Sequence, residues 1–256
     1  MPVSIDLSGR TALITGATGQ LGRVMARTLA QCGAAIAIHY NASEARAAAL
    51  RAGIEALGAR ACVVKADVAD LRSVEAMRDT VEREIGAPDI VVACAVSQIH
   101  PWSTVLEEDP ADYEDQFRSC VMQNVHLAKA FIPAMVARGG GRYIGINTEC
   151  AMQCTPTQSA YAAAKRGMDG VLRVLAREVG RHQITVNQVA PGWTISEQDR
   201  AQGTEHNPAY EAGVPLARRG TDQEVANVVA FLASDLASFI TGAFIPVCGG
   251  HVMPSI

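Results

Sequence analysis

The chain has 256 residues, 49% hydrophobic and 19% charged, with a net charge of −4. That balance fits a packed globular protein large enough to bury a core without disulfides or metals, and the mild acidity, without any block of Lys and Arg, excludes nucleic acid and anionic membranes as expected partners. Seven cysteines, an odd number with one close pair at Cys150 and Cys154, argue against a disulfide framework or a zinc cluster; reduced thiols in a cytoplasm and no metal are expected.

The opening residues enter a strand pattern almost at once, so no secretory leader is expected. In chain order the sequence predicts a strand at Thr11–Thr15, a helix at Gln20–Cys32, a strand at Ala35–His39 and a helix at Ser43–Leu57. A strand at Ala61–Lys65, a helix at Leu71–Ile85, a strand at Ile90–Ala93 and a long helix at Ala111–Ala137 follow. The remainder reads as strand Tyr143–Asn147, helix Ser159–Arg181, strand Thr185–Val189, helix Asp222–Ser234 and strand Phe244–Val247. Near-continuous apolar strands separated by helices imply a parallel sheet covered on both faces. The expected fold is therefore α/β, a doubly wound Rossmann sheet of about seven strands, in one domain over residues 1–256. Trp193–Gly220 breaks the rhythm: it is polar and carries Gly203, Pro208, Gly213 and Pro215, as a lid or binding loop would.

The first strand runs into Gly16-Ala17-Thr18-Gly19-Gln20-Leu21-Gly22, which opens the first helix. In that context Gly16 permits a sharp turn, Gly19 lets backbone approach a pyrophosphate, and Gly22 lets the helix pack close to the sheet. The helix N-terminus offers free N–H groups to the anion. An acid at the end of the second strand would bind the ribose hydroxyls of NAD and repel a 2′-phosphate. Here the chain reads His39-Tyr40-Asn41-Ala42-Ser43, with no acid; Asn41, Ser43 and a protonated His39 are phosphate donors, which favours NADP, with NAD the alternative.

Tyr161 and Lys165 stand four apart near the start of an apolar helix, on one face. A free Tyr titrates near pH ~10, and an adjacent ammonium favours the phenolate. The pair is thus a tunable general acid–base.

These segments, with Gly9–Gly16, Ala66-Asp67-Val68, Tyr161–Lys165, Ile184–Asn187, Ala190-Pro191-Gly192, Phe231–Ser234 and Ile240-Thr241-Gly242, resemble the short-chain dehydrogenase/reductase superfamily from end to end, most nearly ketoreductases acting on 3-oxoacyl carrier-protein substrates. The resemblance implies hydride transfer between NADP(H) and a carbonyl or alcohol, with Tyr161 as proton donor, Lys165 binding the nicotinamide ribose, and Thr148, thirteen residues before the Tyr, orienting the substrate oxygen. It implies Asp67 and Val68 beside the adenine, Pro191 and Gly192 along the nicotinamide, and Thr18, Leu21, Tyr40, Ala93, Ala95 and Thr194 in the cofactor-binding set. A homotetramer or homodimer, built on the helix Val225–Ala233 and the tail Phe244–Val247, is also implied.

The chain departs from the family pattern at Gln20, at Ala93-Cys94-Ala95-Val96 and at Cys120, which aligns with the Asn that supports the proton relay; Asn124 lies one turn later. These departures keep open a binding or regulatory protein of the same fold, or a non-redox enzyme. Trp102, Met152, Pro156 and Trp193 are candidates to line an apolar substrate pocket, with ordinary packing the equal alternative, and His100 and His206 lie in loops, where facing solvent is favoured over contact with substrate.

Overall fold

The protein is described by a computed structural model covering residues 4–97 and 102–254; His100 falls outside them. Seven parallel strands form the main sheet: β1 (Thr11–Ile14), β2 (Ala35–Tyr40), β3 (Ala61–Lys65), β4 (Ile90–Ala93), β5 (Gly141–Ile146), β6 (Ile184–Pro191) and, last in the chain, β9 (Phe244–Val247). Their order is β3-β2-β1-β4-β5-β6-β9. The chain reverses direction of winding between β1 and β4, so the crevice beyond their carboxyl ends is the natural ligand position.

The central strands are mostly apolar because both faces are covered; every residue of β1, β4 and β5 is buried. Helices α1 (Gln20–Gln31), α2 (Glu44–Glu55) and α10 (Asp222–Ala233) close one face over Ile14, Ile36, Ile38 and Val92. Helices α3 (Leu71–Ile85), α5 (Gln123–Arg138) and α7 (Ser159–Val179) close the other over Leu13, Val91, Tyr143 and Val186. Among the described residues no helix is long and apolar enough to cross a membrane. All seven cysteines are free thiols.

The predicted helix Ala111–Ala137 is broken. It consists of α4 (Pro110–Phe117), a π-helical turn at Arg118–Met122, and α5. The widened turn releases backbone carbonyls, and the side-chain amides of Gln123 and Asn124 donate to those of Ser119 and Cys120, both at 2.6 Å. A short helix, α6 (Cys150–Gln153), follows β5 and was not predicted.

Residues 193–220 are ordered rather than structureless. Strands β7 (Thr194–Ile195) and β8 (Gly220–Thr221) pair, and between them lie α8 (Glu197–Gln202) and α9 (Pro208–Glu211). A capping box between Ser196 and Asp199 starts α8, and the Asn207 side chain caps α9. Arg219, 2% exposed, donates to the carbonyls of Trp193, Thr194, Thr204 and Glu205 and to Asp199. One guanidinium thus gathers both ends and the middle of the segment.

Candidate active site

A cleft of about 1950 Å³ opens at the carboxyl edge of the sheet. Its floor at one end is the glycine turn. Gly16 has φ +62, and a Cβ there would stand 2.8 Å from Ala95 Cα. At Gly22 a Cβ would press against Ala17 Cα at 2.8 Å. No side chain caps the first turn of α1, whose cap residue is Gly19, so its N–H groups face the cleft. Gly16, Thr18, Gly19, Gln20, Leu21 and Gly22 all line this end, and Asn41, Ser43, Asp67 and Val68 line its continuation. An elongated cleft with uncapped helix N–H groups against bare backbone fits a dinucleotide.

The turn after β4 is braced from behind. The Thr15 hydroxyl donates to Gln123 Oε1 (2.6 Å) and accepts from the backbone N–H groups of Cys94 and Ala95, while Gln123 Nε2 donates to the Ala95 carbonyl (2.8 Å). Gln123 was not singled out in the sequence; its burial inside a broken helix has no periodic signature.

Several site expectations need correction. His39 borders the cleft but has no free donor for a phosphate: its Nδ1 accepts from the Gly16 N–H (2.9 Å), so the proton sits on Nε2, which donates to the Ala66 carbonyl (3.0 Å). Burial lowers its pKa to about 4, so the ring is neutral. Tyr40 does not reach the cleft, because strand alternation puts it on the same face as Ile36 and Ile38, in the core. Ala93 is likewise core, whereas Ala95 lines the cleft. Asn124 is fully buried and turned away from the site, bonding Cys120 O and accepting from the Tyr143 hydroxyl at 2.8 Å.

At the other end of the cleft, Thr148, Tyr161 and Lys165 converge. Asn147 fixes the chain before Thr148: its Oδ1 accepts from the Thr148 N–H (2.9 Å) and its Nδ2 donates to Gln188 and to the Lys165 carbonyl. Lys165 Nζ donates to the Ile146 carbonyl (2.7 Å) and lies 5.7 Å from the Tyr161 ring centroid. Burial pushes the Tyr161 pKa up, and the Lys165 charge and a hydrogen bond with the Thr148 hydroxyl pull against it. For Lys165, burial opposes the charge, but the acidic groups of Cys120, Tyr161 and Cys94 around it outweigh burial and hold its pKa above the ordinary value. Cys120 is buried behind this pair and does not line the cleft. Pro191, Gly192 and Thr194 line the wall opposite.

Of the aromatic and loop positions, Trp102, Pro156 and Trp193 line the cleft and Met152 does not. The Trp102 and Tyr161 rings meet edge to face at 5.9 Å. His206 is exposed and pairs with Glu211 at 3.4 Å. Sequence reading missed a polar cluster beside Thr148. The buried Glu149 accepts from the Tyr210 hydroxyl (2.8 Å) and contacts His251 Nδ1 (3.2 Å), which Gln153 also touches. The signal was an acid three residues past the end of β5.

Fold and site together define an enzyme of the nucleotide-dependent oxidoreductase class. A family model described as enoyl-(acyl carrier protein) reductase matches residues 16–251. The chain belongs to the short-chain dehydrogenase/reductase family. It is 35% identical over 245 residues to the 3-oxoacyl-[acyl-carrier-protein] reductase FabG of Staphylococcus aureus, covering 95% of this chain and 98% of the relative. To FabG of Escherichia coli it is 36% identical over 249 residues, 97% of this chain and 100% of the relative. Among solved structures, a gluconate 5-dehydrogenase from Burkholderia cenocepacia in complex with NADP and tartrate superposes with a TM-score of 0.89 at 31% identity, over 96% of each chain.

Proposed function

We propose that the protein reduces a carbonyl with NADPH, or oxidises the matching alcohol with NADP⁺, using Tyr161 as general acid–base. The observation that carries this reading is the convergence of Thr148, Tyr161 and Lys165 at one end of the cleft whose other end is the glycine turn. When bound, the nicotinamide supplies or takes the hydride. The chain's own groups handle the proton and the oxygen. Thr148 Oγ1 accepts from the Cys150 N–H (3.2 Å), and its hydroxyl hydrogen, which bonds Tyr161 here, turns to the substrate oxygen when substrate lies between them. Tyr161 gives its proton to that oxygen in reduction, and the Lys165 ammonium stabilises the phenolate left behind.

NADP is favoured over NAD because no carboxylate stands among Asn41, Ala42 and Ser43, which follow β2 and line the cleft, and the similar gluconate 5-dehydrogenase holds NADP. We read residues 1–256 as one domain and 193–220 as its lid. The seven free thiols fit a reducing compartment, so the cytoplasm is the proposed location. The edge strand β9, half-buried along its length, beside the fully exposed Phe239, supports a homotetramer or homodimer. A binding protein without turnover is disfavoured by the retention of all three side chains in one place.

The test follows oxidation of NADPH with a panel of ketones, 3-oxoacyl thioesters and quinones. Turnover lost in Tyr161→Phe, by roughly 10²-fold or more, with cofactor binding retained, is expected. Equal rates in the wild type and the variant overturn the assignment.

A further inference from the structure

The substrate end of the cleft carries more acceptors than the reaction needs. Thr148 suffices to hold the reacting oxygen, yet the wall beside it presents the buried carboxylate of Glu149. Its placement is firm. The Glu149 N–H donates to the Pro191 carbonyl (2.9 Å), and Tyr210 from α9 and His251 from the tail each hold one carboxylate oxygen. Gly192 is bare so that they can do so: a Cβ there would lie 2.6 Å from the Tyr210 hydroxyl and 2.9 Å from Glu149 Oε2. Two carboxylate oxygens offer about four lone-pair sites, and these contacts use only two.

The second observation concerns another residue of the lining. Gln158 lines it three residues before Tyr161, and its buried Oε1 has no hydrogen-bond partner among the described residues. Buried acceptors are nearly always paired, and an orphan oxygen on a residue that borders a binding cleft, out of solvent contact until the side chain turns, points to a donor brought by the ligand. Aromatic surface completes the wall, with Trp102 against Tyr161 and Trp193 edge to face with Tyr210 at 5.5 Å. Flat apolar rings beside hydrogen-bond acceptors match a molecule with C–H faces and O–H edges. An acyl chain would leave Gln158 Oε1 unpaired and the remaining lone pairs of Glu149 unused.

We propose that Glu149 and Gln158 are specificity-determining residues that accept hydrogen bonds from hydroxyl groups flanking the reacting carbon, so that the substrate is a polyhydroxylated ketone or its polyol rather than an acyl thioester. This rests on the carbonyl-reductase reading above. Removing a matched hydroxyl strands a buried acceptor, a loss that sites of this kind convert into strong discrimination.

The experiment compares kcat/KM with NADPH for fructose and a keto-aldonate against cyclohexanone and acetoacetyl thioester. A preference of about a hundredfold for the hydroxylated ketones is expected. Gln158→Leu and Glu149→Gln should each cut that preference about tenfold, with thermal melting confirming the fold; Gln158→Leu stands alone if Glu149→Gln fails to fold. Equal or faster reduction of cyclohexanone or the thioester overturns the proposal while leaving the reductase reading intact. If no carbonyl at all is reduced, the reductase reading fails, and calorimetric titration of Tyr161→Phe with NADP⁺ and a hexitol decides this one separately. Binding weakened about tenfold by Gln158→Leu supports it, and no binding overturns it.

Discussion

The side-chain amide of Gln20 donates to the Ile195 carbonyl at 2.8 Å, joining the glycine turn to the segment that faces it across the cleft. A second tie runs beside it, from Arg23 to Glu197 at 2.9 Å. The residue that departs from the family's glycine pattern therefore anchors residues 193–220 above the dinucleotide end. Losing one such hydrogen bond costs about 1 kcal/mol, so Gln20→Ala should speed NADPH release about fivefold in stopped-flow measurements. An unchanged off-rate would show that this contact does not govern closure.

The buried Tyr161 is pushed towards the neutral phenol, and the Lys165 ammonium is what draws it back. Lys165→Met removes that pull. In alcohol oxidation the phenolate is the active form, so the limb of kcat/KM that rises with pH should move to higher pH in the variant. The rate at neutral pH should drop on the order of 10²-fold or more. A limb that stays in place would mean that another group sets the Tyr161 ionisation.

His39 predicts an acid-labile glycine turn. Its folded pKa is lowered from 6.5 to about 4, chiefly by burial. The unfolded chain therefore takes up a proton as pH falls below 6.5 while the folded chain stays neutral until about pH 4. Stability is full above pH 6.5 and falls through that window, by about 3 kcal/mol at its lower end. Denaturant unfolding of wild type and His39→Gln across the window checks this. The variant should lose less stability on acidification, and parallel curves would rule the His39 contribution out.

Much of the frame was legible because burial on both faces leaves little choice of residue: the apolar runs at Ile90–Ala93 and Ala61–Lys65 match β4 and β3 residue for residue. The Tyr161–Lys165 spacing and the glycine turn were legible for the same kind of reason, since each is local. What escaped depends on contacts distant in sequence. His39 looked like a phosphate ligand because nothing local announces that its ring bridges Gly16 and Ala66. Glu149 gained its setting from Tyr210 and His251, 61 and 102 residues away. The π-helical turn at Arg118–Met122 carries the same apolar spacing as the helices on either side.

Arg219 is the case where one distant capture organises a whole segment. Its guanidinium is buried, stacks over the Trp193 ring at 4.6 Å, and answers four carbonyls besides Asp199 at 3.0 Å. Asp199 is held well below the usual carboxylate range, first by its hydrogen bond to Arg219 and then by Ser196. Lys in this place has three donors on one nitrogen and cannot reach acceptors arrayed around a planar fork. Arg219→Lys should therefore loosen residues 193–220 locally while the sheet stays folded. A tenfold shift in local opening needs only about 1.4 kcal/mol, and cleavage from an open state tracks that population. Limited proteolysis should show cuts within 193–220 at least about tenfold faster in the variant, and KM for NADPH should rise because Gln20 loses its partner at Ile195. If cleavage remains as slow as in the wild type, the segment is held by its two short helices and the β7–β8 pairing rather than by this one side chain.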